Sequence, residues 1–124
     1  MFAERNATAM IPAKDLDRAV SWYRDKLGLE PMSKEEWGAF YALKGVNAFL
    51  YFTDYAGTAG HTLLSFDTND LLADMKVLRE RGVAFLDYDL PDLKTENGVA
   101  EWGPVKNAWC KDSEGNILGF VQGM

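Results

Sequence analysis

Side chains able to do chemistry are sparse in this sequence. It holds a single histidine, His61, and a single cysteine, Cys110. An unperturbed imidazole titrates near pH 6.5, so His61 could act as an acid, a base, a hydrogen-bonding group or one ligand of a metal. Alone it cannot hold a catalytic divalent ion, which needs several imidazoles or carboxylates converging at about 2.0–2.3 Å. A Ser/His/Asp triad would have to use this same His61, and no nucleophile-elbow sequence accompanies it. The plain alternative is a strand-end histidine satisfied by backbone or water. Cys110 cannot form an internal disulfide or a cysteine-based zinc cage. With only Lys111 as a basic neighbour, its thiol is expected to be inert. Gly57-Thr58-Ala59-Gly60 lacks the lysine and helix of a phosphate loop. Trp37, Tyr41, Trp102 and Trp109 remain as groups that could stack on a flat ligand at a cavity rim. The plainer expectation for each of them is that it buries core or subunit surface.

Composition narrows the classes. The 124 residues fit one domain, 1–124, with a net charge of −6, 48% apolar residues and 13% aromatics. A chain of this size can bury about two thirds of its unfolded surface and needs no disulfide staples. An acidic chain with no Lys/Arg stripe is a poor partner for nucleic acid. No run approaches the ~20 apolar residues of a membrane span. The first residues, Met1 to Asn6, lack the apolar core of a signal peptide. A reducing cytosol is the expected location.

The elements that must position these residues fall into two similar halves, about 7–55 and 61–124. Ala7–Ala13 reads as a strand, placed at an edge because Pro12 cannot donate to a ladder. Leu16, Ala19, Val20, Tyr23 and Leu27 then recur at helical spacing, with Asp15 as N-cap and Gly28 at the stop. In the second half, His61–Phe66 reads as a strand. A helix capped by Thr68 or Asn69 runs to about Arg81, with Leu71, Leu72, Met75 and Leu78 on its apolar face and Gly82 ending it. Gly28 and Gly82 lie about 54 residues apart, a period consistent with duplication. Each half closes in a hairpin. Residues 39–43 and 48–52 flank Lys44-Gly45-Val46-Asn47, and residues 107–111 and 117–121 flank Asp112–Asn116. The Asp112 side chain can bond amides two residues on. Tyr88–Gly98 reads as an irregular loop that could border a site.

Ile11–Glu30 resembles the opening of the vicinal oxygen chelate superfamily, and Ala108–Leu118 resembles its closing hairpin. That group holds glyoxalase I, bleomycin-resistance proteins and extradiol dioxygenases. The resemblance implies an α+β fold of paired βαβββ modules, whose sheets curl into a half-open barrel around a cavity often completed by a second subunit. It does not assign function, because one scaffold serves several chemistries. In the metal-dependent members, four inward-facing strand positions give His, Glu or Gln ligands to a divalent ion that binds two substrate oxygens.

Carried over by position, those four places fall at or near Thr8, Tyr51, His61 and Gly119. His61 alone matches; Gly119 has no side chain where the metal enzymes usually carry Glu. Asp54, Asp67 and Glu101 are possible substitute donors, though nothing in their spacing favours it. If Tyr51 and Gly119 point inward, strand alternation brings Phe49, Thr53, Ile117 and Val121 with them. His61 brings Leu63 and Ser65, and Thr8 brings Met10. Gly119 is expected to open space. This set describes a small-molecule pocket better than an ion cage. The expectation is a metal-independent homodimer that binds a small organic molecule, neutral or cationic given the acidic charge. His61, Tyr51, Phe49, Thr8, Gly119, Trp37, Tyr41 and Trp102 are the expected ligand-binding residues. No cofactor is expected, and a divalent metal is disfavoured. The alternative is a lyase or isomerase of glyoxalase type, or a dioxygenase, with a non-standard metal site. A structural module with its cavity collapsed by packed aromatics is a third reading.

Overall fold

The first helix starts where the chain provides its own cap. In a computed structural model, which describes residues 1–124, α1 (Leu16–Leu27) follows Asp15, whose carboxylate accepts from the Arg18 amide at 3.0 Å. It ends at Gly28, with φ 70° and its amide bonded back to Arg24. L side chains avoid that left-handed conformation, which is why glycine stands there. Leu16, Ala19, Val20 and Tyr23 form the buried stripe. The second helix, α2 (Leu71–Glu80), departs from expectation at its start. Asp70 caps it, accepting from Ala73 N at 3.1 Å. Thr68 is still the last residue of a strand, and its hydroxyl accepts from Asp70 N instead. Leu71, Met75 and Leu78 are buried, but Leu72 is 58% exposed. Its position is about 100° round the helix from Leu71, off the apolar stripe.

Two four-stranded mixed sheets carry these helices. In the first, β1 (Thr8–Ala13) pairs in parallel with β4 (Val46–Phe52), which pairs with β3 (Gly38–Leu43) and then β2 (Ser33–Glu35). β1 is an edge strand, as Pro12 requires. The β3–β4 turn is only Lys44-Gly45, because Val46 and Asn47 already belong to β4. In the second sheet, β5 (Thr62–Thr68) lies beside β10 (Ile117–Gln122), then β9 (Val105–Lys111) and β8 (Ala100–Trp102). The segment expected to be an irregular loop contains a small ribbon, β6 (Asp89–Leu90) with β7 (Leu93–Lys94). The fold is therefore α+β, with paired βαβββ modules whose sheets stay open.

One apolar cluster joins both modules. Ile11, Ala39, Tyr41 and Leu50 from the first sheet belong to the same buried set as Cys110, Leu118 and Phe120 from the second, with both helices' stripes. A polar clasp fixes the modules beside this cluster. The Glu114 carboxylate accepts from the amides of Lys14 and Asp15 at 3.0 and 2.9 Å, and from the Arg18 guanidinium at 2.9 and 3.0 Å. In a local capping box, an acidic residue three positions after the cap would reach back to the cap amide. Here that position is Arg18, and the carboxylate comes from 99 residues away. Beside it, Asp112 Oδ1 accepts from the amides of Glu114 and Asn116 at 2.8 and 2.9 Å, shaping the turn as expected. Its Oδ2 accepts from the Tyr23 hydroxyl at 2.6 Å. Asn116 donates to the Pro12 carbonyl at 2.8 Å and accepts from Gly57 N at 3.2 Å. At the far end of α1, Lys26 Nζ donates to the Arg81 carbonyl and Arg81 donates to the Lys26 carbonyl.

Burial alone would push the Glu114 carboxyl up. The hydrogen bonds from Arg18, Asp15 and Ser113, with the Arg18 charge, outweigh it and hold the group at about 2. A carboxyl depressed in the fold stabilises it above the unfolded value, 4.5, and that stability is lost as pH falls towards 2. The shift corresponds to about 3 kcal/mol. Glu114→Gln is expected to cost about 2–3 kcal/mol at pH 7. It should also flatten the stability profile between pH 4.5 and 2. Urea denaturation of both proteins across that range checks both statements.

Candidate functional site

The shared core sets which face of each sheet is left for other use. In β4, Ala48 and Leu50 are buried in the core, so Asn47, Phe49 and Tyr51 lie on the opposite face. The register of β1 puts Thr8, Met10 and Pro12 beside those three in turn. Thr8, Phe49 and Tyr51 are thus brought together on one open face, as expected. Phe49 lies across Gly38 of the neighbouring strand: a Cβ added to Gly38 would stand 2.2 Å from Phe49 Cζ. Trp37, 64% exposed, packs on the Phe49 ring at 5.5 Å between centroids.

Tyr41 does not join them. It alternates with Phe40 and shares the buried face with Ala39, where it is 3% exposed and 6.3 Å from the Tyr23 ring. The expectation of a rim residue is corrected by this parity. Its hydroxyl is enclosed without a hydrogen-bond partner. Burial, with a smaller push from the Glu30 charge, raises it to about 12.

In the second sheet, Leu118, Phe120, Ala108 and Cys110 face the core. Gly119 therefore lies on the other face, in register with Ser65 of β5 and Trp109 of β9. The space above it is not open as expected. A Cβ there would stand 3.2 Å from both Ser65 Oγ and Thr62 Cγ2, and 3.5 Å from Trp109 Nε1. The Trp109 ring is met edge-on by Tyr88 at 5.6 Å and by Trp102 at 6.3 Å. Trp102 is 47% exposed.

His61 is not brought to Gly119. It is exposed, one residue ahead of β5, with Nδ1 3.1 Å from the Thr62 carbonyl. The ladder is irregular here: Ile117 partners Thr62, but Leu118 partners Leu64. That extra residue breaks the alternation expected to carry His61, Leu63 and Ser65 on one face. Thr62 takes the place beside Ser65 instead. Ser65 and Trp109 are each expected on a ligand face, but Thr62 and the convergence of all three over Gly119 are what sequence reasoning missed. The one legible signal of that convergence is a glycine inside a strand, which marks close approach by a neighbour.

No group of three or more His, Cys, Asp or Glu side chains converges anywhere in the chain. Asp54, Asp67 and Glu101 do not gather around His61, so the donors of one chain do not fit a divalent ion of the family type. Strand alternation places only Glu35, Asp67 and Lys111 as charged residues on the two open faces. None of the four main clefts is lined by Thr8, Phe49, Tyr51, His61 or Gly119. Within one chain none of these main clefts joins the two open faces. No helix is long and apolar enough to cross a membrane.

The sequence matches the model of the Glyoxalase/Bleomycin resistance protein/Dioxygenase superfamily over residues 6–120. A comparison with curated proteins gave no match. Among solved structures, a putative glyoxalase family protein from Bacillus anthracis is similar with a TM-score of 0.75 at 14% identity, covering 98% of this chain and 96% of that one. TnmS3, an antibiotic binding protein from Streptomyces sp. CB03234, gives 0.67 at 24% identity, covering 100% and 99%. The fosfomycin resistance protein FosX from Listeria monocytogenes gives 0.74 at 10% identity, covering 98% and 94%. Likeness at these identities speaks for the fold.

Two outcomes follow from the burial of Tyr41 and Cys110. Tyr41→Phe removes an unpaired buried hydroxyl and is expected to stabilise the fold by about 1 kcal/mol in chemical denaturation. Burial, then the Asp112 charge, pushes the Cys110 thiol up to about 12. The native protein at pH 8 should leave a thiol reagent unreacted, and release one equivalent per chain only on unfolding.

Proposed function

Since this chain belongs to the Glyoxalase/Bleomycin resistance protein/Dioxygenase superfamily, we propose that it binds a small organic molecule between its open sheet faces without a metal. The observation that carries this reading is the surrounding of Gly119. Where a metal enzyme of the resemblance would place a carboxylate, this chain packs Thr62, Ser65 and Trp109. Apart from Glu35, Asp67 and Lys111, the faces around it offer aromatic rings and uncharged polar groups, which is the lining of a small-molecule pocket. A structural relative described as an antibiotic binding protein supports the same class. Lyase, isomerase or dioxygenase chemistry of the family type would need donors that neither His61 nor its neighbours assemble.

The cavity would be completed by a second copy. Met10, Trp37 and Trp102 are 51%, 64% and 47% exposed on or beside these faces. A homodimer that lays the first-module face of one copy over the second-module face of the other would bury them around a ligand. The module boundaries of about 7–55 and 61–124 are part of this reading. The free, buried Cys110 is compatible with a reducing cytosol.

Metal analysis of purified, tag-free protein is expected to find well under one divalent ion per chain, unchanged in His61→Ala. Near-stoichiometric metal that disappears in His61→Ala would overturn the metal-independent reading. Light scattering at micromolar concentration should give the mass of a dimer, twice 13.9 kDa. A monomer would remove the shared cavity.

A further inference from the structure

We infer that the Trp109 indole N–H and the Ser65 hydroxyl, brought together over Gly119, form the hydrogen-bonding anchor of the cavity and select an uncharged aromatic ligand bearing a carbonyl-type oxygen. This rests on the ligand-binding reading above and specifies its ligand.

Three neighbouring strands put Ser65, Gly119 and Trp109 side by side in register. Because Gly119 has no side chain, its neighbours close in over it: a Cβ there would meet Ser65 Oγ and Thr62 Cγ2 at 3.2 Å and Trp109 Nε1 at 3.5 Å, so the hydroxyl and the indole N–H converge on one point beside the Thr62 methyl. Neither group takes part in a side-chain hydrogen bond within the chain. Ser65 is exposed, and the Trp109 Nε1, which belongs to a half-buried residue, is not enclosed, so both groups reach the surface. An indole N–H can only donate, and a serine hydroxyl can donate beside it. Two donors converging on one point match an acceptor with two lone pairs, which a carbonyl oxygen provides.

The ring that carries the first donor is held in place. Tyr88 and Trp102 meet Trp109 edge-on at interplanar angles of 90° and 80°. A donor fixed in direction before the ligand arrives loses little freedom on binding. The same rings give a flat ligand surfaces to pack on. The chain's net charge of −6 disfavours an anion, and the nearest charges do not offset it. On this face Lys111 partners Ile117 and Asp67 partners Val121, so they stand two residues from Gly119 in opposite directions along β10. The pair offers no net charge to the two donors.

The test uses 15N-tryptophan-labelled protein, whose four indole signals are followed while coumarin, naphthalene or 2-naphthoate is added. Trp109→Phe assigns the Trp109 signal by its loss. Coumarin is expected to move that signal downfield and to bind about 3- to 10-fold more tightly than naphthalene, with 2-naphthoate weakest. The preference for coumarin should vanish in Trp109→Phe and weaken in Ser65→Ala, an exposed position whose change leaves the core intact. Gly119→Ala, whose Cβ would press on Ser65 and Thr62 and move the donors apart, should also reduce it. Binding of coumarin that shifts other indole signals but not that of Trp109 would overturn the anchor. So would a preference that survives in Trp109→Phe. If no probe moves any indole signal, the ligand-binding reading fails with it.

Discussion

The arrangement of this protein depends on where one carboxylate is buried. Glu114 sits in the turn of the closing hairpin, yet its oxygens satisfy the amides that open α1 and pair with Arg18 on the first turn of that helix. A buried charge is tolerated only when its lone pairs are met. Here they are met entirely by the other module and by Ser113. Asp112 and Asn116 extend the contact to Tyr23, Pro12 and Gly57. The modules are thus tied by directional bonds at one end and by the apolar cluster along the helices.

That docking decides which side of each sheet is available for recognition. The helix-covered faces are consumed by the common core, and the opposite faces are left carrying Phe49 and Tyr51 in one module and Ser65, Gly119 and Trp109 in the other. Two glycines then shape those faces by what they admit. Gly38 lets the Phe49 ring lie flat on the sheet, and Gly119 lets a hydroxyl and an indole approach the same point. Neither needs a special backbone angle; in both, the missing Cβ is what matters.

Much of this was legible in the residues. Helical spacing placed α1 and its cap, glycine marked its stop, and the Asp112–Asn116 turn could be read from its side-chain chemistry. Alternation put Thr8, Phe49 and Tyr51 on one face, because β1 and β4 pair without interruption. The same rule failed for His61, since a one-residue irregularity in β5 reverses parity and leaves no trace in composition. Tyr41 was misplaced for a different reason: its aromatic character suggested a rim, while the alternation of β3 puts it on the core face. Glu114 was invisible because its partners lie about a hundred residues away, and a glutamate in a turn normally reads as solvated.

The clasp has a consequence for how such a chain can diversify. A duplicated module is often pictured as a unit that may be recombined freely. Here the helix of the first half is completed by an acidic side chain encoded in the second, and that side chain is neutralised by an arginine encoded in the first. An exchange of halves between relatives would leave either two unmet amides ahead of the helix or an uncompensated buried charge unless both travelled together. Divergence is therefore channelled into the open faces, where residues can change without consulting the other half, while the joint between the halves must be inherited whole.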